Sequence, residues 1–309
     1  MDLYHNAVQM LLDRNECLEW QDLHHSLMRA LNHRPVALHF PVKACEAVGA
    51  VPEDGLPAVA AIICAHMALM LIDDILDEDP RGAYHQFGEG KAANLAVGLI
   101  GLGLAVLMES RFPAAARALN EMLKRTAYGQ SLDVMNLQTE LDYWLVTRTK
   151  SSPYFGAALS IGALFGGASS EVADKFHQFG ELYGEIMQIH DDLNDCLAAP
   201  ANVDWLSGRS PLPLLFAQLV DHPDRQRFIE LRNKANDPEA LAEAQKILVH
   251  CGAISYSVHE LVKRHESAIG LLRQMQLERP EPLSMLLEEA IAPVRHLFAK
   301  VGVDFDAMV

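Results

Sequence analysis

Positive charge is scarce in this chain. Its 309 residues include 25 lysines and arginines against 41 aspartates and glutamates, which gives a formal net charge of −16. Proteins that bind nucleic acid without sequence preference need basic side chains to displace the counterions of the phosphates. Attachment to anionic lipid through a basic patch needs the same excess. The composition therefore argues against a nucleic-acid partner and against this kind of membrane attachment.

Paired cysteines and long uncharged runs are also lacking. No CxxC motif occurs, and we interpret the five scattered cysteines as reduced thiols. They are Cys17, Cys45, Cys64, Cys196 and Cys251. No basic signal-peptide segment follows Met1, and no apolar run of about 18 residues is free of charge, residues 95–108 coming nearest. We therefore expect a cytoplasmic protein without a membrane span.

Strand signals are weak, whereas helical periodicity recurs along the whole chain. The predicted helices cover 3–31, 36–49, 56–78, 89–110, 114–148, 152–167, 171–195, 211–219, 224–233, 238–250, 252–276 and 281–300. The longest irregular stretch is 198–213. No linker of low complexity interrupts the series. The pattern predicts an all-α protein with a single domain over residues 1–309, folded as a helical bundle around a central apolar cavity.

Two acidic clusters stand out because each follows or interrupts an apolar helical run. The first is Asp73-Asp74-Ile75-Leu76-Asp77, and the second is Asp191-Asp192-Leu193-Asn194-Asp195. Carboxylates at i and i+4 share one helix face and repel each other by about 0.2–0.5 kcal/mol per pair. A bound cation would offset this repulsion, and an oxygen-only ligand set suits Mg²⁺. The two clusters therefore predict Mg²⁺ sites that also hold substrate phosphates.

The alternative for the first cluster is a solvated helix end. A single DDxxD pattern has little specificity, although negative charge at a helix C-terminus opposes the helix dipole. The second cluster repeats the chemistry and is preceded by Gly184 and Gln188. The helix over 58–75 is apolar nearly all round, which is typical of a central helix. An apolar shaft with a charged rim suits a ligand that has a hydrocarbon tail and an anionic head.

Several motifs together resemble the trans-isoprenyl diphosphate synthase family, also called polyprenyl synthetases. The first cluster is similar to the family's DDxxD motif, and 184–195 is similar to its GxxxQxxDD motif. Further similar segments, in the family's order, are Arg34-Pro35 with 43–49, Gly129-Gln130-Ser131-Leu132-Asp133, Lys150-Ser151 with 155–158, 208–213 and 252–256. The resemblance implies an isoprenoid synthase-type bundle, three Mg²⁺ ions and a homodimer.

The resemblance also implies roles for individual residues. The metal ligands would be Asp73, Asp74, Asp77, Asp191, Asp192 and Asp195. The allylic diphosphate would be held by Lys150, Gln188 and Arg209, and the catalytic set would be Asp73, Asp74, Asp77, Lys150, Gln188 and Asp191. Ala68 and Leu69 would face the growing hydrocarbon tail, and the small side chain of Ala68 would leave room for a C20 or longer product.

The segment that binds isopentenyl diphosphate in the family departs from its pattern. The family's lysine and first arginine are replaced by Leu31 and Asn32, whereas Arg34 is retained. Each lost cation removes a charge-assisted phosphate contact worth about 1.5–3 kcal/mol. His66 and Arg81 remain as candidate contacts.

Three functions are therefore open at this point. The first is condensation of an allylic diphosphate with isopentenyl diphosphate to a longer all-trans product of C15–C20 or more. The second is a class I terpene synthase-like reaction, or prenyl transfer to another acceptor. The third is a non-catalytic subunit of a heteromeric synthase, which the retention of both acidic clusters disfavours.

Overall fold

Every regular element that the structure describes is helical. The structure, a computed structural model, describes residues 3–31, 39–135, 138–206 and 209–300, with side chains up to residue 296. No strand occurs within these ranges. The predicted all-α class is confirmed.

Sixteen α-helices follow one another within the described ranges. They are α1 Leu3–Leu12, α2 Asn15–Glu19, α3 Gln21–Ala30, α4 Phe40–Ala47, α5 Leu56–Leu76, α6 Glu89–Met108, α7 Pro113–Asp133, α8 Glu140–Val146, α9 Ser152–Phe165, α10 Ser170–Leu197, α11 Val203–Leu206, α12 Leu212–Leu219, α13 Arg225–Arg232, α14 Pro238–His250, α15 Ala253–Met275 and α16 Glu281–Lys300. Short 3₁₀-helices lie at Pro52–Gly55 and Ala83–Gln86, and a π-helix at Thr147–Ser151 joins α8 to α9. The stretch 198–213, predicted to be irregular, contains α11 and the start of α12.

The N-terminal segment differs from its prediction. Periodicity predicts one helix over 3–31, but the structure has three, because Arg14 and Trp20 adopt extended backbone angles. The bend at Trp20 lets its indole ring pack against Gly98 of α6, where any Cβ would clash with it. Tertiary packing of one aromatic ring therefore overrides the helical pattern.

The segment over 114–148 also differs, since the structure divides it between α7 and α8. Thr139 begins α8 with a capping box: its Oγ1 accepts a hydrogen bond from the Asp142 N–H, and the Asp142 carboxylate accepts one from the Thr139 N–H, both at 3.2 Å. Such reciprocal bonds satisfy amides that a new helix start leaves open. The capping box therefore fixes a helix N-terminus inside the predicted element.

The described residues divide into two compact units by backbone contacts. The first comprises those within Met1–Arg125, Pro153–Gly180 and Leu272–Leu283. Its core is built on α5, whose residues 58–65 are all buried and which packs mainly against α6 and α1. Gly103 permits this packing, because a Cβ there would lie 3.1 Å from both Ala61 O and Cys64 Cβ.

The second unit comprises the described residues within Thr126–Ser152, Glu181–Leu271 and Ser284–Val309. One apolar cluster joins the end of α10 to α11, α12, α13 and α14. At its centre Trp205 and Phe228 are buried, with ring centroids 6.2 Å apart. This cluster gives the segment after the second acidic cluster a fixed place in the unit.

Two segments are long and apolar enough to meet the criteria for a membrane-crossing helix. They are Pro52–Leu76, with 61% of its apolar window buried inside the protein, and Glu89–Met108, with 44% buried. The buried fraction of Pro52–Leu76 is typical of a helix in a protein core. The absence of a membrane span stays a prediction.

Candidate active site

The first acidic cluster lies at the C-terminal end of α5. Asp73 and Asp74 belong to its last turn, and Asp77 follows it before the backbone turns at Glu78 with a φ of 51°. Negative charge at this helix end opposes the helix dipole. All three aspartates are half-buried, so water and salt screen their repulsion less than on an open surface. The local structure thus gathers carboxylates that a cation would stabilise.

Asp74 is held by the loop that follows α5. Its Oδ2 accepts a hydrogen bond from the Ala83 N–H at 3.1 Å. The loop reaches it because residue 82 is glycine, where a Cβ would lie 2.7 Å from the Tyr84 ring and 2.9 Å from Asp74 Cβ. Burial raises the pKa of Asp74, the Ala83 hydrogen bond lowers it, and the neighbouring aspartates raise it further. Asp74 is therefore oriented by a backbone amide, and the neighbouring carboxylates disfavour its ionisation.

A cavity of about 540 Å³ opens beside Asp74 within the first unit. Helices α1, α3 and α5 and the loop after α5 supply its walls: Tyr4, Ser26, Arg29, Ala30, Ile63, His66, Met67, Met70, Leu71, Asp74, Asp79, Arg81, Ala83 and Phe87. His66 and Arg81, both predicted to contact isopentenyl diphosphate, share this cavity. Asn32 and Arg34, which the sequence analysis singled out, lie outside the described residues.

His66 enters the cavity without a charge. Its ring lies 5.7 Å from that of Tyr154, centroid to centroid, and burial lowers the pKa of its imidazole. A neutral imidazole donates one hydrogen bond and accepts another. His66 can therefore orient a ligand here, but it adds nothing to the formal positive charge of the cavity.

Ala68 and Leu69, predicted to face the hydrocarbon tail, do not line this cavity. Ala68 is buried and Leu69 is half-buried on α5. The same helix presents Ile63, Met67 and Met70 to the cavity instead. Control of product length by residues 68 and 69 stays a prediction.

The second acidic cluster occupies the last two turns of α10. Asp191 and Asp195 stand one turn apart. Asp191 is an exposed residue, but the protein packed around its carboxyl removes part of its hydration. This desolvation and the charge of Asp195 raise its pKa to about 6. As in the first cluster, carboxylates are held close enough to disfavour each other's ionisation.

Asp192 differs from its neighbour Asp191 because it is buried, with only 3% of its surface exposed. It accepts hydrogen bonds from the Leu212 N–H at 2.8 Å and from Gln188 Nε2 at 2.9 Å, with the Tyr143 hydroxyl beside it. Burial raises its pKa to about 7 despite these donors. Asp192 therefore fastens the first turn of α12 to α10.

Gln188 is fixed at both ends of its amide. Its Oε1 accepts a hydrogen bond from Ser151 Oγ at 2.7 Å, while its Nε2 donates to Asp192. The amide orientation is consequently set by Ser151 and Asp192 together. Ser151 is a residue to which the sequence analysis gave no role; it lies 37 positions from Gln188, and no local pattern links the two.

Lys150 lies in the π-helix between α8 and α9, a geometry found frequently at functional sites. Its Nζ forms an ion pair of 2.6 Å with Asp133, and about one-fifth of each side chain is exposed. Gly129 of α7 packs directly on the backbone of Lys150, where any Cβ would clash. The motif glycine and the motif aspartate of α7 thus both position Lys150.

Asp204 of α11 interacts electrostatically with predicted site residues, although the sequence analysis gave it no role. Burial raises the pKa of its carboxyl first, and the charge of Asp195 raises it further, while Arg209 and Lys150 lower it. The structure therefore brings Lys150, Arg209 and Asp195 within electrostatic reach of Asp204. The only signal in the sequence is an aspartate nine positions after Asp195, which is too weak to identify the site.

The residues present fit Mg²⁺ in their chemistry. Neighbouring carboxylates that raise each other's pKa form a hard, oxygen-only donor set, which Mg²⁺ prefers. Among the described side chains, no group of three His, Cys, Asp or Glu is already closed around a metal position. Mg²⁺ commonly takes one or two carboxylates and completes its shell with water and substrate phosphates, so an open arrangement suits it.

Comparison with known proteins identifies the family. The family model described as polyprenyl synthetase matches residues 24–248. The geranylgeranyl diphosphate synthase of Methanosarcina mazei is 30% identical over 247 residues, which cover 72% of this chain and 73% of that protein. The octaprenyl diphosphate synthase of Escherichia coli is 26% identical over 75% of this chain and 77% of its own length.

Solved structures agree on the fold. A decaprenyl diphosphate synthase from Rhodobacter capsulatus matches with a TM-score of 0.81 at 18% identity, over 95% of both chains. A polyprenyl synthase from Caulobacter crescentus, complexed with calcium and isoprenyl diphosphate, matches with a TM-score of 0.79 at 19% identity, over 93% of both chains. The chain belongs to the polyprenyl synthetase family and is a trans-prenyltransferase that lengthens prenyl chains.

Proposed function

We propose that the protein condenses an allylic prenyl diphosphate with isopentenyl diphosphate in a Mg²⁺-dependent reaction and releases an all-trans product of C15–C20 or longer. The observation that carries this proposal is the pair of acidic clusters, each of which contains a carboxyl with a raised pKa. A chain of net charge −16 that concentrates carboxylates in this way is suited to a polyanionic ligand only when cations bind between them. The family's substrates are such ligands.

The proposed metal ligands are Asp73, Asp74 and Asp77 in the first cluster and Asp191 with Asp195 in the second. When bound, the family's three Mg²⁺ ions would neutralise the charge that develops on the departing diphosphate. Asp192 was predicted as a further ligand, but its hydrogen bonds to Leu212 and Gln188 support a positioning role instead.

Lys150 is proposed to bind the allylic diphosphate, with Asp133 holding its ammonium group in place. Arg209, on the segment that leads to α12, is proposed to add a second positive charge. Gln188 is proposed to stabilise the allylic cation, because an amide dipole held by Ser151 and Asp192 can face a positive centre without attacking it.

We propose that the protein forms a homodimer and that the exposed face of α6 is its interface. This helix carries no charged side chain from residue 92 to residue 108. Val97 and Met108 are nevertheless 69% and 73% exposed, and Gly101 between them is exposed as well. A second copy would cover this face. Sedimentation of Val97→Asp tests it: we expect a monomer, and an unchanged mass would contradict the proposal.

Residues 1–309 are proposed to form one domain of a cytoplasmic protein. Helices α7, α10, α15 and α16 each include residues of both compact units. A single cooperative unfolding transition is expected, and two separate transitions would contradict the proposal.

The decisive experiment is product analysis. The purified protein is incubated with Mg²⁺ and geranyl, farnesyl or geranylgeranyl diphosphate, with and without labelled isopentenyl diphosphate. A longer, labelled diphosphate that forms only with both substrates, and not after chelation of the metal, supports the proposal. Turnover that ignores isopentenyl diphosphate contradicts it.

A second candidate is a terpene synthase-like reaction or transfer to another acceptor. It is favoured by Leu31 and Asn32, which remove two cations from the segment that binds isopentenyl diphosphate in the family. The same incubation separates the two functions, because this one releases a hydrocarbon or alcohol without isopentenyl diphosphate.

A further inference from the structure

The cavity beside Asp74 contains an arginine to which the family pattern gives no role. Arg29 lies in the last turn of α3, two positions before Leu31, where the family has its lysine. Helix α3 buries Leu23 and Leu27 against the first unit. This register leaves Arg29 exposed at the edge of the cavity, of which it forms part of the wall.

The two arginines of the cavity differ in how their charge is compensated. Arg81 forms an ion pair with Asp79, with Nη2 3.2 Å from Oδ2, and the arginine lowers the pKa of that carboxyl. Arg29 donates to the neutral Oε1 of Gln86 instead. Among the residues that the structure describes, no carboxylate forms an ion pair with Arg29. Its charge is therefore more available to an anion than that of Arg81.

The other polar groups of the cavity cannot supply this charge. His66 is neutral near pH 7 because burial lowers the pKa of its imidazole. Asp74 and Asp79 are carboxylates, so they repel an anion unless a cation lies between. An anionic ligand in this cavity would thus gain most by replacing the Gln86 amide at Arg29, since no ion pair is broken.

We propose that Arg29 binds the diphosphate of isopentenyl diphosphate in this cavity and takes the place of the lysine that is missing at position 31. The inference rests on the proposed condensation with isopentenyl diphosphate. It explains how the chain keeps a site for the second substrate although positions 31 and 32 lack the family's positively charged residues. The positive charge is then supplied by the last turn of α3 rather than by positions 31 and 32.

The first test is Arg29→Gln. The Michaelis constant for isopentenyl diphosphate is expected to rise about 10-fold to 100-fold, as befits the loss of one charge-assisted contact. The Michaelis constant for the allylic diphosphate is expected to stay within about twofold, since a separate set of groups holds it. Arg117→Gln is the matched control, because Arg117 is likewise an exposed helical arginine of the first unit but lies outside the cavity.

The second test is a rescue by the family's own cation. Leu31→Lys introduced into Arg29→Gln is expected to recover at least about tenfold of the lost affinity for isopentenyl diphosphate, because a lysine at the half-buried position 31 restores the charge near the same cavity. Arg29→Lys alone is expected to retain part of it, since a point charge lacks the planar fork of arginine.

Three outcomes overturn the inference: unchanged kinetics in Arg29→Gln, equal weakening of both substrates, or no rescue by Leu31→Lys in a variant that unfolds at the wild-type temperature. Failure of the underlying function looks different. In that case the wild-type protein itself makes no longer diphosphate from isopentenyl diphosphate, whatever residue 29 is.

Discussion

The two acidic clusters carry similar residues but are supported in different ways. The first lies where α5 ends, and Asp74 is held by a backbone amide of the loop that follows. The second lies within α10, and Asp192 is buried with donors from α10 itself and from α12. One cluster thus depends on a loop, the other on a packed polar network. Similar metal chemistry can therefore rest on local turns in one region and on tertiary packing in another.

The strongest way to test whether the clusters are functionally equal is to remove one carboxylate from each. Asp73→Ala and Asp191→Ala are each expected to lower kcat at least about 10³-fold, because metal stabilisation of a leaving group amounts to several kcal/mol. Formation of labelled product at saturating substrate is the measurement. Asp221→Ala, at an exposed position in the second unit, should behave as wild type. Near-normal turnover in either cluster variant would refute the metal assignment there.

Within the second cluster, substitution of Asp192 and substitution of Asp191 should have different effects on the stability of the protein. Asp192→Ala leaves the Leu212 amide and the Gln188 side chain without their acceptor, at a cost of about 1–3 kcal/mol for each buried donor. Asp191→Ala removes a carboxylate that repels Asp195, so its stability should equal or exceed that of wild type in the absence of metal. Urea unfolding of both variants measures the difference. Equal losses would show that Asp192 has no anchoring role.

The packed support of Lys150 can be tested through Gly129. Gly129→Ala forces a methyl group against the Lys150 backbone, and overpacking of this kind costs about 1–3 kcal/mol. We also expect a lower kcat, because Lys150 would be displaced from its π-helix. Gly270→Ala is the control, since a Cβ there meets open space in α15 and should stabilise the helix by up to about 1 kcal/mol. Urea unfolding and kcat are measured for both variants, and equal values for the two would contradict a role of Gly129 in positioning Lys150.

The smallest expected effect concerns pH. The folded-state pKa of Asp191 is raised to about 6 from its ordinary value of 3.8, so ionisation of this group disfavours the fold above pH 6. The cost of ionisation is fully present above pH 6, and the metal-free protein should gain stability as the pH falls from about 6 to about 4, where the folded state binds a proton that the unfolded state does not. Mg²⁺ requires the ionised form, and its affinity should fall by up to about tenfold per pH unit below 6.

Thermal unfolding across pH, with and without Mg²⁺, measures both trends. Asp191→Asn should lose the pH-dependent component at this site while retaining the fold. A wild-type protein that gains no stability relative to Asp191→Asn between pH 6 and pH 4, without metal, would contradict the assignment.

What could be predicted from sequence was local. Both acidic clusters were recognisable because their spacing of one helical turn is contained in five residues. The capping box at Thr139 and Asp142 was equally local, yet the periodicity on both sides concealed it. Asp204, Ser151 and Arg29 could not be found in this way. Their roles depend on partners brought near by folding, such as Gln188 for Ser151, 37 positions away.

The bond between Asp192 and Leu212 gives the protein a built-in spectroscopic probe. The amide of Leu212 donates to a carboxyl whose pKa is about 7 and which lies next to Asp191 in sequence. Its hydrogen-exchange rate and its nitrogen chemical shift will therefore follow the ionisation of Asp192. One amide resonance on α12 thus reports the charge state of the second cluster, without any label placed in the site itself.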